Sequence, residues 1–247
     1  MASSIKLNEF LYKRSAIYLI AFFGVAVLAF WNSYYSILGQ KMTFYIHFHG
    51  IFMTLWVLLL IAQAYLIRIK KYNIHNALGK ASYLIFPILI LSTFLLIHDT
   101  IRKSDVVDMG TYFSTALMIN GTLILVIIYS LGIFYRKDRL THARYMICTI
   151  FPLFTPLTDR IIYKYVQGLI QFAPTAEGMP LVPFYGYAMA DLLVIGLAIW
   201  DWRVHKRKGV FLIVLGLLLC YHISFFTFYK FHFWQTFSAW FYTLNIT

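Results

Sequence analysis

Charge is scarce in this sequence. Of its 247 residues, 12% are Asp, Glu, Lys or Arg, where a soluble globular chain carries about 25%. With 61% hydrophobic residues, that deficit excludes a fold that keeps a mostly solvated surface and points to an integral membrane protein. Acidic residues are the scarcest, nine against 21 Lys and Arg, for a net charge of +12. Cysteine is nearly absent: Cys148 and Cys220 both lie inside apolar runs, read as buried packing thiols, and say little about redox compartment. Also missing are an H-E-x-x-H zinc motif, a C-x-x-C-H haem attachment and a lysine at the centre of the last apolar run. The last absence disfavours a retinal protein.

What is present is a series of long hydrophobic runs. A hydrocarbon core of ~30 Å takes about 20 apolar residues per helix, and seven stretches fit: Ala16 to Leu38, Thr43 to Ile67, Ala81 to His98, Thr111 to Tyr135, Ala143 to Tyr165, Phe184 to Trp200 and Val210 to Tyr229. The sequence therefore predicts an all-α, polytopic bundle of seven transmembrane helices. It forms one domain over 1–247, with a cytoplasmic N-terminus (1–15), the bundle (16–230) and an outer tail (231–247). The first run is longer than the core of a signal peptide and is followed by no clean small-residue cleavage site, so it is read as a retained helix.

Lys and Arg set the orientation. With the N-terminus inside, 15 of the 21 fall in inner segments and six in outer ones, which follows the positive-inside rule and gives N-in, C-out. The basic excess then marks topology and contact with anionic lipids at the cytoplasmic face, and no nucleic-acid partner is expected. Three inner segments are basic and hold one His each: "RIKKYNIHNALGK", "YRKDRLTHARY" and "DWRVHKRKG". The runs that lead into the first two, Thr54 to Arg68 and Thr122 to Arg136, have the same length, and each is followed by a basic turn, a His and a new helix, as an old hairpin duplication or as convergent loop composition. The tail places Phe233, Trp234, Phe237, Trp240 and Phe241 at helical spacing, predicting an amphipathic helix in the outer interface.

Ionisable groups at membrane depth are costly and tend to face the bundle interior and to pair. Here they gather in the predicted outer half: His49, His98, Asp99, Asp159, Arg160, Asp191 and His222, with Asn120 beside them. The inner half offers mainly Gln63 and hydroxyls. Asp191 has no basic neighbour in its own helix, which predicts a partner on another helix, Arg160 or a His. Within "YIHFHGIFMTLW", His47 and His49 lie 200° apart on a helix. His49 shares a face with Met53, Trp56 and Gln63, a polar stripe suited to a cavity wall. His47 shares its face with Gly50 and Thr54, small residues suited to close helix contact. In "TIFPLFTPLTDR", Pro152 and Pro156 each remove a backbone hydrogen bond and predict a kink.

The stretch "HFHGIFMTLWVLLLIAQAYLIRIKKYNIHNALG" resembles a group of poorly characterised bacterial inner-membrane proteins with an HG-x-x-x-T-x-W helix, a later Gln and an H-x-x-L-G entry to the next helix. The likeness continues more loosely through "HARYM", "DRI" and "DLLVIGLAIWDWR". It touches His49, Trp56, Gln63, His75, Gly79, His142, Arg160 and Asp191, and leaves out His98 and His222. It implies a bacterial inner-membrane location and brings no activity with it.

Three functional readings remain open from sequence. A redox site would use haem b held by His49 and His222, or a quinone. A divalent metal would draw on His49, His98, Asp159 and Asp191. A transporter or receptor would line an outward cavity with Asp191, Arg160 and His49, while Trp56, Gln63 and Asn120 complete the polar surroundings. The plainest alternative is a structural polar network that fixes helix register.

Overall fold

In hydrocarbon a backbone must satisfy its polar groups internally, and apolar runs of this length do so as helices. The computed structural model describes residues 14–206 and 209–247. Its helices are α1 (Ser15–Phe30), α2 (Phe44–Arg68), α3 (Tyr72–Ile101), α4 (Met109–Phe134), α5 (Arg139–Cys148), α6 (Phe154–Tyr165), α7 (Pro183–His205), α8 (Val210–Thr227) and α9 (His232–Thr243). Five of them, α2, α3, α4, α7 and α8, are long and apolar enough to cross a membrane, and α1 is a shorter apolar helix. The expected N-terminal segment falls almost wholly outside the described residues.

Successive long helices pack antiparallel. Along the α2–α3 seam His49 meets Thr93, Trp56 meets Phe86, and Gln63 meets His75. At the α7–α8 seam Asp191 meets His222 and Tyr187 meets Phe226. The connections α2–α3, α4–α5 and α7–α8, which carry the basic segments, therefore share one end of the bundle, called here the basic end.

Two buried clusters divide the interior. One joins α1, α2, α3 and parts of α4 and α6 around Trp56, Leu89 and Leu157; the other joins α4, α5, α7 and α8 around Tyr145, Val194 and Leu218. α4 and α6 lie between the halves. At the end opposite the basic one, α9 packs Trp234 and Phe241 against Ile97 and Ile101 of α3 and Ala116 of α4, while Phe233 and Trp240 stay exposed. The tail is thus a helix, with one aromatic face held by the bundle.

Five segments differ from the sequence reading. α1 ends at Phe30 rather than Leu38. α3 begins at Tyr72 rather than Ala81, so "YNIHNALGK" is helix and not loop. Pro87 lies inside it without ending it, a tolerance common in membrane helices. α4 starts at Met109 and widens into a π turn at Ala116–Asn120, a local distortion often tied to a specific contact; here Tyr221 donates to Leu117 O at 2.8 Å. α7 runs on to His205, five residues past Trp200. The fifth run is broken rather than kinked: α5 ends at Cys148, a tight 3-10 turn takes Phe151–Leu153, and α6 starts afresh at Phe154. Pro152 and Pro156 lack the N–H groups a continuous helix would need there.

Candidate functional site: charged groups around the broken helix

The short helix α6 places two neighbouring charges in different halves of the bundle. Consecutive residues on a helix diverge by about 100°, so Asp159 and Arg160 point apart, although each lies in the other's electrostatic field. Arg160 turns toward α1 and α2: its guanidinium lies 4.3 Å over the Phe30 ring, it donates to Pro156 O at 3.1 Å, and its charge reaches His49. Asp159 turns toward α7 and α8, within electrostatic range of Tyr187 and Tyr221. Its Oδ1 is buried and has no hydrogen-bond partner. α6 can come this close to α7 because Gly186 has no side chain; a Cβ there would stand 2.6 Å from Thr155 Cα and from Thr158 Oγ1.

His49 is half-buried, and its Nδ1 stands 3.2 Å from Thr93 Oγ1. His47 faces elsewhere, with its ring 6.0 Å from that of Tyr34. Tyr34 also fills the space over Gly50, and Thr54 pairs with Tyr35 at 2.9 Å. His47, Gly50 and Thr54 thus form the contact between α2 and the segment after α1, as their shared face suggested.

Asp191 finds its partner on α8. His222 Nδ1 lies 3.1 Å from Asp191 Oδ2, and the imidazole stacks on Tyr187 with centroids 4.0 Å apart. The other carboxylate oxygen, Oδ1, is buried without a partner. His49, Arg160, Asp159 and the Tyr187–Tyr221 pair are thus related by charge at a distance, while His222 and Asp191 meet in direct polar contact.

The remaining sequence candidates have local structural tasks. Asn120 donates to Ser224 at 2.8 Å across α4 and α8. Trp56, fully buried, is boxed by Phe86 and Tyr129 at 5.0 and 5.5 Å, and its Nε1 has no partner. Gln63 donates to His75 O at 3.1 Å and ties α2 to the start of α3. His98 lies under α9, with Nδ1 against Thr247 Oγ1 and its ring against Phe241.

The arrangement lends no support to the two ligand sets drawn from sequence. Among the described residues no group of three or more His, Cys, Asp or Glu could hold a metal ion: His98 is taken to α9, while Asp159 and Asp191 face different partners. The helices that carry His49 and His222, α2 and α8, contribute to different buried clusters.

A third polar group was not singled out in the sequence. At the basic end Arg144 of α5 donates to Asp201 Oδ1 of α7 at 2.8 Å, with the side chains 1% and 3% exposed. His205 Nδ1 stands 3.2 Å from the same oxygen. This half of the bundle is therefore not limited to Gln63 and hydroxyls. The signal available was Asp201 and His205 four residues apart, read as loop because the apolar run stops at Trp200. Close by, His142 Nδ1 contacts Gly132 O at 2.7 Å. No protein-family model, curated protein or solved structure matches this chain.

Proposed function

We propose that this is a seven-span bacterial inner-membrane protein, N-terminus in and C-terminus out, of the group its HG-x-x-x-T-x-W helix resembles. It binds a small molecule with an anionic or carbonyl oxygen at Arg160 and His49, from the side opposite the basic end, with Asp159 on the next face of α6 in the field of the same guanidinium. In the seven-span reading α5 and α6 together form one discontinuous crossing, and α1 is another. Basic turns such as Lys70–Lys71 then face the cytoplasm and its anionic lipids.

The observation that carries the site is Asp159 Oδ1, buried without a hydrogen-bond partner among the described residues and in the field of the neighbouring Arg160. An ionised carboxylate left so at membrane depth is costly. A proton on Asp159 removes that cost, and an anion bound at Arg160 favours that proton, so ligand binding and proton uptake are linked here. Arg160 supplies donors for an oxygen, Phe30 supplies an aromatic wall, and His49 a second polar contact.

Two sources fit this chemistry, a water-soluble carboxylate and a quinone head entering from the lipid. Thermal-shift measurements on the detergent-purified protein, with succinate in one arm and a short-chain ubiquinone in the other, separate them. One probe is expected to raise the melting temperature of the parent and not of Arg160→Ala, and Asp159→Asn is expected to flatten the pH dependence of that shift. A shift that survives Arg160→Ala, or none in either arm, overturns the reading.

A further inference from the structure

We infer that the Arg144–Asp201 pair is a gate at the basic end, so that the chain moves its ligand across the membrane rather than only holding it; this rests on the site reading above. Three features converge. The pair links α5 and α7, two helices that do not pack along one another; α8 lies between them, packed against both. Between α5 and α7 the closure is thus local to this pair, and opening separates the pair while α5 slides along its seams with α4 and α8. The pair is also incompletely satisfied: among the described residues Arg144 Nε and Nη1 are buried with no hydrogen-bond partner. A buried donor left unpaired is costly, so the closed contact leaves part of that cost unrelieved. Finally, α5 is only half of a crossing, separated from α6 by the turn at Phe151–Leu153. Discontinuous helices with a site near the break are the usual construction of carriers. Here the break divides the gate residue on α5 from the ligand residues on α6. The half-helix α5 swings about that turn, and the basic end opens when Arg144 leaves Asp201.

Cys148 reports the motion. It is fully buried one helical turn beyond Arg144, while Cys220 is exposed. In a Cys220→Ser protein reconstituted in lipid, the rate of Cys148 alkylation by N-ethylmaleimide measures opening. The parent is expected to label slowly but to completion. Asp201→Asn, which removes the counter-charge of Arg144, should label about tenfold faster, and the charge exchange Arg144→Asp/Asp201→Arg should return the rate toward the parent's. A parent that never labels indicates a fixed clamp and overturns the proposal. Equal rates in parent and Asp201→Asn overturn it too. So does a folded charge exchange, judged by its size-exclusion profile, that labels as fast as the single variant. Labelling needs no ligand and is expected to be unchanged by Arg160→Ala, so failure of the binding site and failure of the gate are read separately.

Discussion

Single residues decide how close the helices of this bundle come. Gly186 lets α7 lie on the backbone of α6, and Thr155 and Thr158 occupy the space a side chain would need. Gly186→Ala forces the two helices apart where Asp159 and Tyr187 meet. It should cost about 1–3 kcal/mol, the usual penalty of overpacking, seen as a lower melting temperature in detergent, while Gly196→Ala, with open space around it, should leave melting nearly unchanged. The roles of several polar residues were legible at this scale. Helical geometry alone separates His47 from His49, and the cost of a lone carboxylate in a membrane predicts that Asp191 has a partner on another helix. The Arg144–Asp201 pair was not legible, for a physical reason. A lone Arg near a basic loop has the same sequence signature as a topological charge, and only the third dimension shows the carboxylate that neutralises it.

At the scale of elements, apolar runs locate the membrane-embedded part of a helix but not its ends. α3 continues through Asn73, His75 and Asn76 because nothing in that stretch breaks a helix, and α7 continues through Asp201 and Arg203 for the same reason. Two helix starts, those of α4 and α5, are marked by a capping aspartate. α4 starts at Asp108, whose side chain accepts from Thr111 N at 2.9 Å while Thr111 Oγ1 receives the Asp108 N–H. These Thr111 bonds hold the carboxyl below its ordinary value. A depressed folded-state pKa means the cap stabilises fully above the ordinary carboxylate range and weakens as pH falls through it. Asp108→Ala should therefore lower the melting temperature at pH 7, by an amount corresponding to about 1 kcal/mol. The gap between parent and variant should close as the pH is lowered below ~4; a gap independent of pH would remove the cap from the account.

For the whole molecule, membrane class and helical content follow from composition, while packing order does not. That the bundle forms two halves with α6 between them depends on contacts among residues far apart in sequence. It is what separates His49 from His222 and joins His49 to Arg160 instead. Orientation is a property of the same scale. If basic connections face the cytoplasm, alkaline phosphatase fused after Thr247 is expected to be active, and a fusion after Arg139 inactive. The opposite pattern would place Arg160 and His49 on the cytoplasmic side and reverse the direction from which their ligand enters.

The break between α5 and α6 also bears on how the chain is made. At 10 and 12 residues and ~1.5 Å per residue, neither piece spans a hydrocarbon core alone. The first carries an arginine whose counter-charge, Asp201, is synthesised more than fifty residues later. If the two pieces form one crossing, as proposed, that arginine enters the bilayer without its counter-charge until α7 is made, so chains truncated before Pro183 should be the ones that quality-control proteases remove.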